Sequence, residues 1–191
     1  QLITNGVSMP AVNFIASRYM KLLAHLPIML VDNPEKVLVV CFGTGQTTGA
    51  AAVHPKVKSV DSVDLSASVV KAGNVFSPHN YNVLKNEKVN IILQDGRNYL
   101  LTTQKVYDVI TSEPPPPRTA FTVNLYTKEY YETAKKHLKA GGIMAQWIPL
   151  HSQGKQEVLM HFKTFLSVFP HAIAWIPVAN EILVIGSDRP I

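Results

Sequence analysis

Apolar residues fall along this chain in short runs and alternating stretches that predict strands and helices in turn. The first predicted strand, residues 37–41 (VLVVC), is an unbroken apolar run rich in valine, as expected for a strand buried on both faces of a sheet. Further strands are predicted over residues 57–63, 89–93, 107–111, 143–148, 172–176 and 181–185. Helices are predicted over residues 47–53, 66–72, 127–138 and 153–168.

Alternation of strands with helices predicts a doubly wound α/β fold with a mostly parallel sheet. The last two strands are joined by residues 178–180 alone, too short for a crossover helix, so they must form a hairpin that puts one antiparallel strand near the C-terminal edge. Thr127 is the predicted N-cap of its helix, and Gly141 and Gly142 are predicted to end it. Residues 1–10, with a turn at Asn5-Gly6, are predicted to be the remnant of a hairpin.

The amino-acid composition limits the kinds of partner and cofactor that are expected for this protein. With 191 residues, 47% apolar and 16% charged, the chain fits one packed domain. Its net charge of +5 is spread over scattered lysines and arginines, which argues against nucleic acid. The single cysteine, Cys41, excludes a disulfide framework and is expected to be buried and inert. Seven histidines show no ligand spacing, so no metal is expected.

The ends of the sequence raise a separate expectation about the protein's context. No apolar stretch reaches the ~20 residues of a membrane helix, and the chain begins at Gln1 without a signal-peptide pattern. We therefore expect a piece of a longer protein, located in the cytoplasm or forming a cytoplasmic domain of a membrane protein.

The turn after the first predicted strand is a candidate ligand loop. In open α/β sheets, ligands bind beyond the carboxyl ends of the strands. Gly43 and Gly45 let the backbone of residues 42–47 (FGTGQT) turn tightly and approach a ligand, although such a turn is often merely structural. Thr48 replaces the third glycine of the dinucleotide motif, and no P-loop lysine is present, so a triphosphate is not indicated. Gln46 is expected near the ligand's tail.

Acidic residues follow the next two predicted strands. Asp64 can accept hydrogen bonds from both hydroxyls of a ribose, and the alternative role of helix N-cap suits Ser66 better. Asp95 can accept a hydrogen bond from the exocyclic amine of adenine, with an ordinary turn aspartate as the alternative. Together with the glycine turn, these two acids predict an adenine nucleoside site.

A fourth strand end leads into Ser112, Glu113 and four prolines. The rigid prolines are expected to hold Glu113 above the centre of the site, where a general base or an amine-binding carboxylate acts; a solvated loop acid is the alternative. Tyr126 lies just after this loop and His151 follows the fifth predicted strand, so both are expected near a substrate.

Several stretches of the chain resemble the spermidine synthase (polyamine aminopropyltransferase) family, most closely its spermidine synthase-like branch that is often fused to membrane-transporter segments. From about Lys36 onward, these stretches are VLVVCFGTGQTTGAA, VDSVDLSASVV, LQDGRNYL, YDVITSEPPPP, LYTKEYYETAKKHLKAGGIMAQWIPLH and FPHAIAWIPVANEILVIGSDRP. The resemblance implies a methyltransferase-like Rossmann fold. It also implies a transferase of polyamine biosynthesis that moves the aminopropyl group of decarboxylated S-adenosylmethionine onto an amine, without a metal.

The resemblance also assigns roles to residues and divides the chain. Residues 1–35 would be a hairpin remnant plus a leading helix, and residues 36–191 the nucleoside-binding domain. Glu113 falls where the family has its catalytic aspartate. The donor-binding residues it predicts, together with those expected from the strand ends, are Gly43, Thr44, Gly45, Gln46, Asp64, Leu65, Asp95, Gly96 and Ser112. The predicted substrate pocket is formed by Tyr19, Tyr126 and His151.

Three departures from the family pattern bear on the substrates. Thr44 stands where the family has an aspartate for the amine end of the decarboxylated donor, so S-adenosylmethionine itself becomes an alternative donor. Pro116 replaces a second acid that helps to hold putrescine, and Lys21 replaces another substrate-binding carboxylate with a cation. These changes argue against plain putrescine as the acceptor.

Three functions are therefore open. The first is aminopropyl transfer to a small-molecule amine other than plain putrescine. The second is methyl transfer from S-adenosylmethionine on the same fold, and the third is a non-catalytic nucleoside-binding module of a larger membrane protein. Nucleic acid is not an expected partner; membrane segments upstream and a homodimer are left open.

Overall fold

Nine strands are present in the computed structural model, which describes residues 3–4, 7–8, 12–151 and 153–191. The strands are β1 (Ile3–Thr4), β2 (Val7–Ser8), β3 (Lys36–Val40), β4 (Ser59–Asp64), β5 (Val89–Leu93), β6 (Tyr107–Ser112), β7 (Leu138–Pro149), β8 (His171–Val178) and β9 (Glu181–Ser187). β1 and β2 pair with each other antiparallel. The turn predicted at Asn5-Gly6 lies outside the described residues.

The other seven strands form one sheet in the order β5-β4-β3-β6-β7-β9-β8. β5, β4, β3, β6 and β7 pair in parallel, whereas β9 is antiparallel to both β7 and β8. The doubly wound, mostly parallel sheet with one antiparallel strand near its C-terminal edge is therefore confirmed, because β8 and β9 do form a hairpin.

Helices cover both faces of this sheet. They are α1 (Phe14–Met29), α2 (Gln46–Ala52), α3 (Ala67–Ala72), α4 (Gly96–Thr102), α5 (Lys128–Lys136) and α6 (Lys155–Leu166). In β3, Val37 and Val39 pack with α1 and α2, whereas Leu38 and Val40 belong to the core under α4, α5 and α6. Burial on both faces explains why this strand is an unbroken apolar run. Among the described helices, none is both long and apolar enough to cross a bilayer.

One local prediction is wrong, and one helix was not predicted. Gly141 and Gly142 do not end a helix: α5 ends at Lys136, and both glycines lie inside β7. Strand pairing decides this, because Leu138 already pairs with Tyr107, and the register shift that follows absorbs the glycines. The helix α4, which follows Asp95, was not among the predicted helices.

Candidate functional site

The carboxyl ends of β3, β4, β5 and β6 surround a pocket of about 350 Å³, which we call the nucleoside pocket. Its wall includes seven predicted site residues, namely Gly43, Thr44, Asp64, Leu65, Asp95, Gly96 and Glu113. Parallel strands end at the same edge of a sheet, so residues far apart in sequence meet here. The structure therefore gathers four separate sequence motifs around one cavity.

The glycine turn forms one side of this pocket. Gly43 has a φ of +53°, and a side chain there would point into open space, so glycine is needed for the backbone conformation alone. Gly45 has a φ of +79°, and a Cβ on it would lie 2.7 Å from the ring of Phe42. Gly43 thus leaves the pocket open, while Gly45 packs behind it as the residue that starts α2.

The side chain of Asp64 is oriented by two backbone N–H groups. Its Oδ2 accepts a hydrogen bond from the N–H of Phe42 at 2.9 Å, and its Oδ1 accepts one from the N–H of Ser66 at 2.8 Å. Ser66 itself is the N-cap of α3, as predicted, since its hydroxyl accepts from the N–H of Val69. A carboxylate retains lone pairs beyond these two bonds, and these can accept hydrogen bonds from a ligand.

Asp95 has a structural role in addition to its place in the pocket wall. Its side chain accepts a hydrogen bond from the N–H of Asn98 at 2.9 Å, which caps the N-terminus of α4. The carboxylate therefore serves the helix and also faces the nucleoside pocket. A helix cap thus takes the place of the ordinary turn aspartate considered as the alternative, and contact of Asp95 with adenine stays a prediction.

Six predicted site residues do not line the nucleoside pocket: Tyr19 and His151, which line a second pocket described below, and Gly45, Gln46, Ser112 and Tyr126. Gly45 is held behind the wall, and the amide of the buried Gln46 donates to Thr44 Oγ1 at 3.2 Å. Ser112 is enclosed within the sheet and accepts a hydrogen bond from the hydroxyl of Tyr130 at 3.1 Å. Tyr126 is also buried, with its ring against His161 and its hydroxyl toward the carbonyl oxygen of Pro115. Contact with a ligand by these residues stays a prediction.

A second pocket, of about 280 Å³, also has Glu113 in its wall, and we call it the acceptor pocket after the substrate that was predicted near Tyr19 and His151. Its wall is formed by Asn13, Ile15, Ala16, Tyr19, Glu113, Pro114, Pro115, Pro116, Trp147, His151 and Glu181. Tyr19 and His151, two of the three predicted substrate-pocket residues, are therefore in one cavity. Glu113 and Pro115 belong to the walls of both pockets.

Glu113 is the acidic residue shared by the two pockets. Its Oε2 accepts a hydrogen bond from the hydroxyl of Thr47 at 2.8 Å, whereas its Oε1 is enclosed and has no hydrogen-bond partner among the described residues. Burial raises the pKa of Glu113 to about 7, against the opposing effects of Thr47 and the nearby Tyr19. A carboxyl that titrates near neutral pH is suited to accept a proton.

Sequence reasoning did not single out Glu181, which stands at the start of β9 in the acceptor pocket. Its Oε2 accepts a hydrogen bond from Nε1 of Trp147 at 2.6 Å, and its side chain is 14% exposed. Burial raises the pKa of Glu181 to about 7. No sequence motif marks this residue, and only its proximity to Trp147 across the β7–β9 pairing reveals its position.

Two further residues of the pocket wall were not expected there. Cys41, expected to be buried and inert, is only half-buried and lines the nucleoside pocket; desolvation raises the pKa of its thiol, so it is protonated there. Phe121 is 86% exposed and lines the same pocket beside Thr119 and Thr122. The aromatic side chain of Phe121, in the segment between the prolines and α5, was the signal available for this part of the wall.

The two departures near the acceptor pocket are placed differently. Pro116 lines the pocket, at the position where the resemblance implied an acid. Lys21 does not line either pocket, because its Nζ lies 4.7 Å from the ring centre of Tyr81 in a cation–π contact. The cation of Lys21 is therefore not in the wall of the acceptor pocket, where it would have repelled a diamine.

Within the part of the chain that the structure describes, no three histidine, cysteine or acidic side chains converge as a metal site would require.

The fold defines a class: a Rossmann-like domain of the kind shared by spermidine synthases and methyltransferases. At a TM-score of 0.83, 92% of the chain superimposes on 62% of a spermidine synthase solved in complex with the transition state analogue AdoDATO, with 20% identity. Human methyltransferase-like protein 13 in complex with SAH is matched at a TM-score of 0.68 and 18% identity, over 92% of this chain and 82% of that one.

The sequence places the chain within that class. Residues 16–187 match the spermine/spermidine synthase domain, and the chain belongs to this family. It is 38% identical over 128 residues to a polyamine aminopropyltransferase of Methanocaldococcus jannaschii, covering 67% of this chain and 43% of that protein. It is 31% identical over 155 residues to one from Bacillus cereus, covering 80% and 55%. The chain thus spans about half the length of these curated relatives.

Proposed function

We propose that this chain transfers an aminopropyl group from decarboxylated S-adenosylmethionine to an amine. The observation that carries the proposal is the position of Glu113 in the shared wall of two pockets, one with the acids expected of a nucleoside site and one lined by aromatic and acidic side chains. Membership of the spermine/spermidine synthase family supports the same reaction.

The donor would occupy the nucleoside pocket. Asp64 would accept hydrogen bonds from the ribose hydroxyls and Asp95 one from the adenine amine, while the open backbone at Gly43 leaves room for the tail. Backbone N–H groups fix the Asp64 carboxylate, and a fixed acceptor loses little freedom when the ligand binds.

The transfer itself is a displacement at carbon. The nitrogen of the acceptor would attack the methylene carbon next to the sulfonium, so that a C–N bond forms and the C–S bond breaks, with its electron pair passing to sulfur. The products are an aminopropylated ammonium and a methylthio-nucleoside. Since the sulfonium is already a good leaving group, the protein needs to align the reactants and remove one proton.

Glu113 would take that proton. The group is enclosed beside both pockets, and its pKa of about 7 lets it be ionised before the reaction and protonated after it near neutral pH. The hydroxyl of Thr47 holds Oε2, which leaves Oε1 free for the amine.

Methyl transfer is the second candidate, and Thr44 favours it. This neutral, buried residue lines the nucleoside pocket where the family has an acid for the donor's amine, so nothing at this position repels the carboxylate of S-adenosylmethionine.

Calorimetric titration of the chain with both donors, followed by incubation with amines and mass spectrometry, tests these proposals. Preferential binding of the decarboxylated donor and acceptors that gain an aminopropyl group would support our proposal. Acceptors that gain a methyl group would establish the second candidate. Donor binding without any transfer, alike in the wild type and in Glu113→Gln, would overturn both and leave a binding module.

A further inference from the structure

The acceptor pocket contains a second carboxylate to which neither the family pattern nor the proposed chemistry gives a role. Glu181 stands at the start of β9, just after the hairpin turn from β8. It shares the pocket wall with Glu113, and the two acids are close enough that Glu181 contributes to the raised pKa of Glu113. The cavity is thus bounded by two acids rather than one.

Glu181 is held in a fixed orientation. Nε1 of Trp147 donates to its Oε2 at 2.6 Å, while Oε1 lies 3.6 Å from Nδ1 of His151, beyond normal hydrogen-bonding distance. Trp147 also stacks on Tyr19, with ring centres 6.0 Å apart and planes inclined by 13°. Oε1 therefore accepts no hydrogen bond and is available to a ligand beside two aromatic rings, although it lies within ion-pair distance of the His151 imidazole when that ring is protonated.

The enclosed Oε1 of Glu113 is an independent sign that a ligand belongs here. A buried carboxylate oxygen without a partner is costly. Oε1 meets no donor at hydrogen-bonding geometry among the described residues, although the hydroxyl of Tyr19 lies near enough to lower the pKa of Glu113. An ammonium group donates up to three hydrogen bonds and carries the matching charge. A molecule with a cation at each end and an apolar middle would satisfy both acids and lie along the aromatic wall.

We propose that Glu181 binds the second, non-reacting ammonium of a linear diamine acceptor while Glu113 receives the amine that attacks. This inference rests on the proposed function for the role of Glu113. It gives the pocket an acid from β9 in place of those missing at Pro116 and Lys21, so the loss of those acids no longer argues against a diamine.

Putrescine and butylamine are matched probes, because both have four carbons and only putrescine has a second ammonium. Calorimetric titrations of the chain with each, in about 0.15 M salt to screen surface charge, give the ratio of the two dissociation constants. We expect putrescine to bind about 10- to 100-fold more tightly than butylamine, as for a hydrogen bond between charged groups.

In Glu181→Gln, this ratio should fall to the small statistical factor that arises because either of the two equivalent ends of putrescine can bind. Glutamine can still accept the hydrogen bond from Trp147, and thermal unfolding verifies that the variant is folded. Trp147→Phe, which keeps the acid, should weaken both probes but retain a preference for putrescine. Glu132→Gln, at a half-exposed position on α5, should leave the ratio unchanged.

A preference for putrescine that survives in Glu181→Gln would overturn the inference, as would equal binding of both probes by the wild type. The readout is binding, so its outcome is separable from that of the proposed function. A preference that depends on Glu181 without any transfer would overturn only the reaction, whereas transfer without this dependence would overturn only the role of Glu181.

Discussion

Replacing Glu113 by glutamine should change how the stability of the protein depends on pH. Burial raises the pKa of this carboxyl from its ordinary 4.5 to about 7, so the folded protein resists its ionisation. Glutamine has nearly the same shape and can still accept the hydrogen bond from Thr47, but it never carries the charge. The substitution therefore isolates the cost of one buried negative charge.

The size of that cost follows from the pKa values. Because a tenfold change in an ionisation constant corresponds to about 1.4 kcal/mol, a pKa of about 7 in place of 4.5 amounts to about 3 kcal/mol. The folded pKa is the higher one, so this stability is fully present below about pH 4.5, is lost as the pH rises through about 7, and does not fall further above that.

Urea unfolding of the wild type and Glu113→Gln at pH 5 and pH 8 measures the effect. Relative to the variant, the wild type should lose about 2 to 3 kcal/mol of unfolding free energy between these pH values, or about 5–10 °C in Tm. The contribution of Glu181 is common to both proteins and largely cancels. Glu132→Gln, at the half-exposed helix surface, is the matched control and should show little change.

The reasoning would be refuted by a difference between wild type and Glu113→Gln that is the same at pH 5 and at pH 8. In that case the carboxylate would be hydrated in the unliganded protein, and a pKa near neutrality could not be used to argue for a base. A constant offset alone, independent of pH, would reflect only the unpaired amide of the glutamine.

Three further predictions concern neighbouring contacts. Thr47→Val removes the hydroxyl that lowers the pKa of Glu113, so the rising limb of the profile of kcat/KM against pH should move to higher pH. Asp95→Ala should cost about 1 kcal/mol in urea unfolding by removing the cap of α4, whereas Asp95→Ser should retain the stability, and calorimetry should show weaker nucleoside binding in both. Asp64→Asn should weaken methylthioadenosine binding about tenfold or more in calorimetry; unchanged affinity would contradict a ribose contact there.

The sequence was sufficient for the succession of strands and for the hairpin at the C-terminal edge because the signals for these features are local. The valine run of β3, the helix cap at Thr127 and the short link between β8 and β9 each depend on neighbouring residues only. The end of α5 was predicted wrongly because the strand pairing of Leu138 with Tyr107, a contact between distant residues, overrides the glycine signal.

The candidate site divides in the same way. Asp64, Asp95 and Glu113 were predictable because each lies at or just beyond the carboxyl end of a strand, and the carboxyl ends of parallel strands meet at one edge. Glu181 was not predictable, because it begins β9 far along the chain and reaches the acceptor pocket only through the antiparallel pairing of β9 with β7.

The sequence by itself therefore determined the order of the strands and helices and the acids at the strand ends. Only the tertiary structure decided that Glu113 is shared by two pockets, that Lys21 lies against Tyr81 and that Glu181 supplies a second acid. The physical reason is that burial and the charges of distant neighbours set both the position and the pKa of a carboxyl group, and neither is encoded within a few residues of it.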